Sequence, residues 1–114
     1  MGLLSRATQI NGNNSEEPEL ILSKISHFYD VYKVLSCIVF DTRNYGDNFG
    51  RIQAIISRIG LVIPLSTGNV LILLRASVDR DLIAHRISNS LKISTLFSFE
   101  ADCPENLVKS LGKV

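Results

Sequence analysis

The stretch LVIPLSTGNVLILLR, residues 61–75, decides how the fold is read. It predicts a strand, a short turn and a second strand, with residues 67–69 providing the bend. Pro64 has no backbone N–H, which predicts that the first strand lies at a sheet edge. The second strand, residues 69–75, is apolar without interruption, as is typical of a central strand covered on both faces.

Two amphipathic helices and a strand are predicted before this hairpin. Ser15 is a suitable N-cap for a helix over 16–33, whose apolar residues recur at helical spacing: Ile21, Ile25, Phe28 and Tyr32. The run VLSCIVFD, residues 34–41, predicts a strand buried on both faces. A second helix carries Ile52, Ile55, Ile56 and Ile59 on one stripe, and Gly60 is predicted as its C′ stop.

A helix, a strand and a short helix are predicted after the hairpin. Ser77 or Asp79 is expected to cap the first, which has Ile83, Ile87 and Leu91 on one stripe. ISTLFSFEA, residues 93–101, alternates, so Ile93, Thr95, Phe97 and Phe99 are expected to face inward. The final helix has Pro104 near its start and Gly112 at its end.

The middle six elements, β-α-β-β-α-β, predict an α+β fold of the ferredoxin-like type. This is a two-layer sandwich with sheet order 4-1-3-2, here with extra N-terminal and C-terminal helices. The continuously apolar first and third strands match its central positions, and the other two match its edges. Because two layers cover only one sheet face, the N-terminal helix, the C-terminal helix or a second copy is expected to cover the other.

Length and composition indicate a single domain over 15–114 behind a flexible leader over 1–14. Twelve Lys and Arg against 11 Asp and Glu give a net charge of +1, which argues against a nucleic-acid partner. The apolar runs are too short to span a membrane, and the N-terminus does not resemble a secretory signal. We therefore predict a cytoplasmic protein without a membrane span.

No complete catalytic or metal-binding pattern occurs in the chain. Cys37 lies within an apolar run and is interpreted as a small core residue, and Cys103 precedes Pro104. His27 and His85 are far apart, with no Cys or acidic residue at ligand spacing. We predict no metal site, no cofactor and no catalytic residue.

One family resemblance rests on the first predicted strand and the hairpin. FDTRNY, residues 40–45, stands where the GGDEF palm domain of diguanylate cyclases has a pattern similar to F-D-x-D-x-F. The chain resembles that domain over about residues 35–111, in a shortened and degenerate form. Asp41 matches the first acidic residue of the family, which contributes to metal binding, and Arg43 replaces the second. The glycine–glycine–aspartate–glutamate–phenylalanine signature is replaced by Ser66, Thr67, Gly68, Asn69 and Val70.

The resemblance implies a relative that has lost cyclase activity. Two Mg²⁺ ions on a triphosphate need converging carboxylates, and Asn69 is neutral where the family requires an acidic residue. An independently evolved ferredoxin-like domain accounts for the same pattern. Asp41, which closes a buried strand, either caps the loop that follows or marks a ligand site.

Two functions are predicted from these features. The first is a non-catalytic regulatory or protein-interaction domain that binds a protein partner or itself through the second sheet face, a sheet edge or the terminal helices. A monomer whose helices wrap the whole sheet would count against it. The second is a nucleotide or cyclic-dinucleotide sensor without catalysis, whose site would bring together Asp41, Asn44, Ser66, Thr67, Gly68 and Asn69.

Overall fold

The computed structural model describes residues 18–42 and 48–112, which form four helices, four strands and their connections. The predicted leader over 1–14 and the predicted N-cap Ser15 lie outside the described residues. The elements in chain order are α1 (Pro18–Tyr32), β1 (Leu35–Asp41), α2 (Asn48–Ile56), β2 (Gly60–Pro64), β3 (Val70–Leu74), α3 (Arg80–Leu91), β4 (Ser94–Ala101) and α4 (Pro104–Leu111).

The four strands form one antiparallel sheet in the order β2-β3-β1-β4. The apolar strands β1 and β3 are adjacent in the centre, with Ile38 opposite Ile72. β2, which carries Pro64, lies at one edge, and β4 lies at the other. The central and edge positions predicted from apolarity and from Pro64 are therefore confirmed.

Helices α2 and α3 cover one face of the sheet. Alternate side chains of the central strands point to this face, because neighbouring strand residues point to opposite sides. They pack with one stripe from each helix into a buried cluster that consists of Ile38, Phe40, Ile52, Ile56, Val62, Val70, Ile72, Leu74, Ile83, Ala84, Ile87 and Ile93. Each large aliphatic side chain buried in this way contributes about 1.5–3 kcal/mol to folding.

Helices α1 and α4 cover the central strands on the opposite face. The second buried cluster consists of Ile21, Ile25, Phe28, Leu35, Cys37, Val39, Ile63, Leu65, Leu71, Leu73, Leu107 and Leu111. The arrangement thus has three layers, with helices on both sides of the sheet, rather than the predicted two. Of the three covers expected for the second face, the chain's own N-terminal and C-terminal helices are the ones observed, which leaves the central strands no open face for a partner.

Strand β4 departs from the predicted alternation because it contains a bulge. Phe97 lies opposite Val39, but Thr95 lies opposite the next β1 residue, Phe40, so Leu96 is an extra residue. The bulge places Phe97 on the α1/α4 face and Thr95 on the α2/α3 face, where its hydroxyl is 3.0 Å from that of Ser88. The prediction that the alternate residues of this strand share one inward face is therefore wrong.

Gly60 has a different role from the predicted helix stop. Helix α2 ends at Ile56, and Gly60 is the first residue of β2. A Cβ atom at this position would lie 2.1 Å from the carbonyl oxygen of Leu73, so only glycine permits the close approach of β2 and β3. The predicted apolar stripe of α2 is also incomplete, because Ile55 is exposed.

The predicted helix boundaries hold where capping residues determine them. Asp79 is the N-cap of α3, and its carboxylate accepts a hydrogen bond of 3.2 Å from the backbone N–H of Leu82. Pro104 lies in the first turn of α4. Helix α1 ends one residue before Lys33, whose φ of 60° is left-handed.

Candidate functional site

The hairpin between β2 and β3 closes through a three-residue loop. The backbone N–H of Leu65 donates to the backbone carbonyl oxygen of Asn69 at 2.9 Å. The backbone N–H of Gly68 donates to the carbonyl oxygen of Leu65 at 3.0 Å. Gly68 has a φ of 93°, a conformation that glycine adopts without the steric cost of a Cβ. These features define a common type of three-residue hairpin loop, in which a tight turn is followed by one residue in the left-handed conformation. The stretch is therefore built as an ordinary hairpin.

Polar side chains are buried where this hairpin meets the end of β1. Thr42 follows β1 and donates its hydroxyl to the carbonyl oxygen of Gly68. Ser66, Asn69 and Asn48, the first residue of α2, are also buried. Three of the five polar residues that are buried in the described part of the chain belong to the hairpin or to the end of β1, a set we name the hairpin cluster: Thr42, Ser66 and Asn69.

The structure brings part of the predicted ligand site together. Asp41 ends β1 next to the hairpin cluster and is half-buried, and it lies opposite Ser94 of β4. Ser66 and Asn69 are buried, Thr67 is half-buried, and Gly68 is exposed. Asn44 lies outside the described residues.

Asn69 carries the clearest polar anomaly of this region. Its side chain is 2 % exposed, yet its Oδ1 atom has no hydrogen-bond partner among the described residues. A buried carbonyl oxygen without a donor costs roughly 1–3 kcal/mol. Such an oxygen recognises an N–H or O–H donor. It does not replace the carboxylates that a pair of Mg²⁺ ions requires.

The edge strand β4 is the most exposed part of the sheet. Leu96 and Phe97 have 38 % and 42 % of their surface in solvent, and only two of the strand's eight residues are half-buried while the others are exposed. The outer side of β4 has no neighbour among the four strands of the sheet. An edge of this kind presents unpaired backbone N–H and C=O groups to another chain.

Arg80 ties this edge to the rest of the molecule. Its Nε donates to the hydroxyl of Ser98 on β4 at 3.0 Å, and one terminal nitrogen donates to the hydroxyl of Ser36 on β1 at 3.1 Å. Arg80 and Glu100 line the same open cavity of about 400 Å³ at the start of α3. The guanidinium therefore holds β4 in register with β1 and brings a positive charge near the carboxylate of Glu100.

A second cavity, of about 340 Å³, lies where α1 and α2 end. The guanidinium of Arg75 lies 5.4 Å from the ring centroid of Tyr32, the last residue of α1, and donates at 3.5 Å to the carbonyl oxygen of Arg58. Helix C-termini carry partial negative charge, which arginine side chains compensate. The contacts of Arg75 at this cavity are thus with the Tyr32 ring and with a backbone carbonyl just beyond the end of α2.

The thiol chemistry of the described chain favours a structural role for Cys37. Cys37 is buried in the α1/α4 cluster, and its sulfur donates to the carbonyl oxygen of Leu35 at 3.3 Å. Burial raises the pKa of the Cys37 thiol to about 12, because a thiolate is poorly solvated there. Cys37 is therefore a neutral core residue near pH 7. Once the pH exceeds the pKa that this thiol has in the unfolded chain, its ionisation there lowers the free energy of unfolding.

Comparisons with known proteins give no family for the chain. No family model, no curated protein and no solved structure matches it. The described residues contain no group of three His, Cys, Asp or Glu side chains that would hold a metal ion. Among the described helices, none has the length and apolarity needed to cross a bilayer.

Sequence reasoning missed two residues that shape the exposed edge. Arg80, which the sequence analysis does not single out, bridges β1 and β4. Alternation predicts that Phe97 faces inward, because alternation alone does not reveal a bulge. The exposed apolar edge could have been predicted from the position and composition of the strand. It is a predicted edge strand with two phenylalanines and a single charged residue, Glu100.

Proposed function

We propose that this chain is a non-catalytic protein-interaction domain that accepts a β-strand from a partner at the outer edge of β4. We further propose that its core is ferredoxin-like, because the strand order read from β4 is 4-1-3-2. The observation that carries the functional proposal is the exposed β4 edge, with Leu96 and Phe97 open to solvent.

Strand addition fits the chemistry of this edge. The backbone groups on its outer side supply hydrogen bonds to any extended segment, and the side chains on its two faces supply selectivity. The central strands offer no such surface, because helices cover them on both faces. A partner that pairs with β4 would extend the sheet and bury Phe97.

The opposite edge of the sheet is less suited to this role. β2 has five residues against eight in β4, and Pro64 removes one backbone donor. All its residues are buried or half-buried. Short edges that contain proline are among the devices by which proteins prevent edge-to-edge pairing.

A non-enzymatic role agrees with the side chains present. Among the described residues of the predicted ligand site, Asp41 is the single carboxylate, and the other polar side chains, on Ser66, Thr67 and Asn69, are hydroxyls and an amide. Cys37 is a buried neutral thiol. Neither arrangement provides an activated nucleophile with an adjacent base.

A peptide with the sequence of residues 93–102 tests strand addition, because this sequence already pairs with an antiparallel strand, β1. Titrated into the ¹⁵N-labelled full chain, it is expected to shift the backbone amide resonances of β4. Phe97→Lys places a charge on the edge and removes aromatic cross-strand contacts, so we expect it to weaken peptide binding about fivefold or more.

Leu82→Lys is the matched control for this titration. Leu82 is 52 % exposed on α3 and is not part of the edge, so its substitution by lysine should leave peptide affinity within about twofold. Amide shifts that map to the α1 or α4 surfaces, or equal binding by both variants, would contradict strand addition at β4.

A second candidate function is favoured by the hairpin cluster. Among the described residues, the Oδ1 of Asn69 has no hydrogen-bond partner. This oxygen supports a nucleotide or cyclic-dinucleotide sensor, which would be a degenerate GGDEF-like relative without catalysis. Neither cavity described above is lined by a residue of this region. A thermal-shift titration with these nucleotides, with and without Mg²⁺, tests it, and a shift lost in Asn69→Leu would favour the sensor.

A further inference from the structure

We propose that the strand added at the β4 edge is β4 of a second copy of this chain, in an antiparallel dimer whose two-fold axis passes through Ser98. This inference rests on the proposed function, because it names the occupant of the same edge. The outcome is a continuous sheet of eight strands across two subunits.

The three central residues of the exposed edge are symmetric about Ser98. Phe97-Ser98-Phe99 reads identically in both directions. Two antiparallel copies of a strand are read in opposite directions, so a palindrome centred on the axis places Phe97 opposite the partner's Phe99 and Ser98 opposite the partner's Ser98. A two-fold interface requires a surface that is complementary to itself, and this segment meets the requirement.

The directions of the side chains agree with this register. Phe97 and Phe99 lie opposite Val39 and Cys37 of β1, so both belong to the α1/α4 face. A two-fold axis perpendicular to the sheet keeps each face on its own side, and opposite residues must share a face. Phe97, now 42 % exposed, would then pack against an aromatic ring of the partner.

Charge also favours this register over its neighbours. Glu100 is the single charged residue of β4, and an axis through it would bring two carboxylates face to face. An axis through Ser98 separates the two Glu100 positions by four residue rises, about 13 Å, which exceeds the Debye length at physiological salt. An axis through Phe99 would place Phe97 opposite the partner's Ala101, which covers the ring less.

Cysteine cross-linking at the axis tests the dimer. Opposite residues of antiparallel strands have Cα atoms about 4.5–5.5 Å apart, within the range that a disulfide spans. In the full chain carrying Cys103→Ser, we expect Ser98→Cys to form a disulfide-linked dimer under mild oxidation about tenfold faster than Glu100→Cys. Ser98 and Glu100 are both exposed. Ser98→Cys removes the hydroxyl that accepts from Arg80, but the backbone pairing of β4 with β1 remains, so we expect both variants to fold, which circular dichroism verifies.

Sedimentation of the wild type completes the test. The proposal is supported if the wild type is a dimer, the Phe97→Lys variant is a monomer and the Leu82→Lys variant is still a dimer. A wild-type monomer at all concentrations, or Glu100→Cys linking as fast as Ser98→Cys, would overturn it. If the chain is monomeric but the 93–102 peptide still binds at β4, only this inference fails, whereas loss of peptide binding as well removes the proposed function.

Discussion

Replacing Gly60 with alanine is expected to lower the free energy of unfolding by about 3 kcal/mol, because the new methyl group has no space. Its carbon would lie 2.1 Å from the carbonyl oxygen of Leu73 and 3.3 Å from the side chain of Ile56. Backbone does not yield as a flexible side chain does, so β2 must move away from β3. Urea denaturation followed by circular dichroism measures the loss, which corresponds to roughly 10–20 °C in Tm.

Gly112→Ala is the matched control for this substitution. Gly112 has a φ of −63°, and an added Cβ would meet its nearest atom, a carbonyl oxygen, at 3.4 Å. Alanine is compatible with this conformation and should leave stability unchanged or raise it by about 0.5 kcal/mol. A loss below about 1 kcal/mol for Gly60→Ala would contradict the close approach of β2 and β3.

Replacing Ile25 with alanine is expected to cost about 3 kcal/mol, because it opens a cavity between α1 and the sheet. Ile25 is fully buried in the α1/α4 cluster. Leu22 lies on the same helix with 43 % of its surface exposed, and Leu22→Ala should cost less than about 1 kcal/mol. Comparing the two variants separates the contribution of side-chain packing from that of helix propensity. Both variants introduce alanine within α1, so the difference between their stabilities reports on packing.

Chemical denaturation of the two α1 variants decides whether this helix is part of the core. Equal, small losses would mean that α1 does not cover the second sheet face, and that face would again be a candidate interaction surface. A large loss confined to Ile25→Ala leaves the β4 edge as the exposed apolar part of the sheet.

The sheet was predictable because backbone chemistry and burial act locally. Uninterrupted apolar runs marked β1 and β3 as central, and the missing N–H of Pro64 marked β2 as an edge. The covering of the second sheet face was predictable only in part. The apolar side chains on both faces of β1 and β3 indicate that something covers this face, but they do not identify the covering element. Both terminal helices cover it through Ile25, Leu107 and their neighbours.

Other features depend on contacts that sequence periodicity does not contain. The bulge at Leu96 reverses the facing of Thr95, and Gly60 is explained by the carbonyl oxygen of a strand neighbour rather than by a helix end. In the candidate site, strand order brings the end of β1 to the hairpin, so the segments that carry Asp41, Ser66 and Asn69 are neighbours. The bridge made by Arg80 joins residues that are distant in sequence, so no local pattern reveals it.

Amide hydrogen exchange across β4, resolved by residue, tests the central claim most directly. At low micromolar concentration, alternate amides of β4 that do not bond to β1 should exchange close to the rate of an unfolded chain, while amides of β1 and β3 remain protected. Raising the protein concentration should slow exchange at those β4 amides alone, as a second strand covers the edge. Strong protection of every β4 amide at the lowest concentration would show that the edge is already occupied, and would contradict the account.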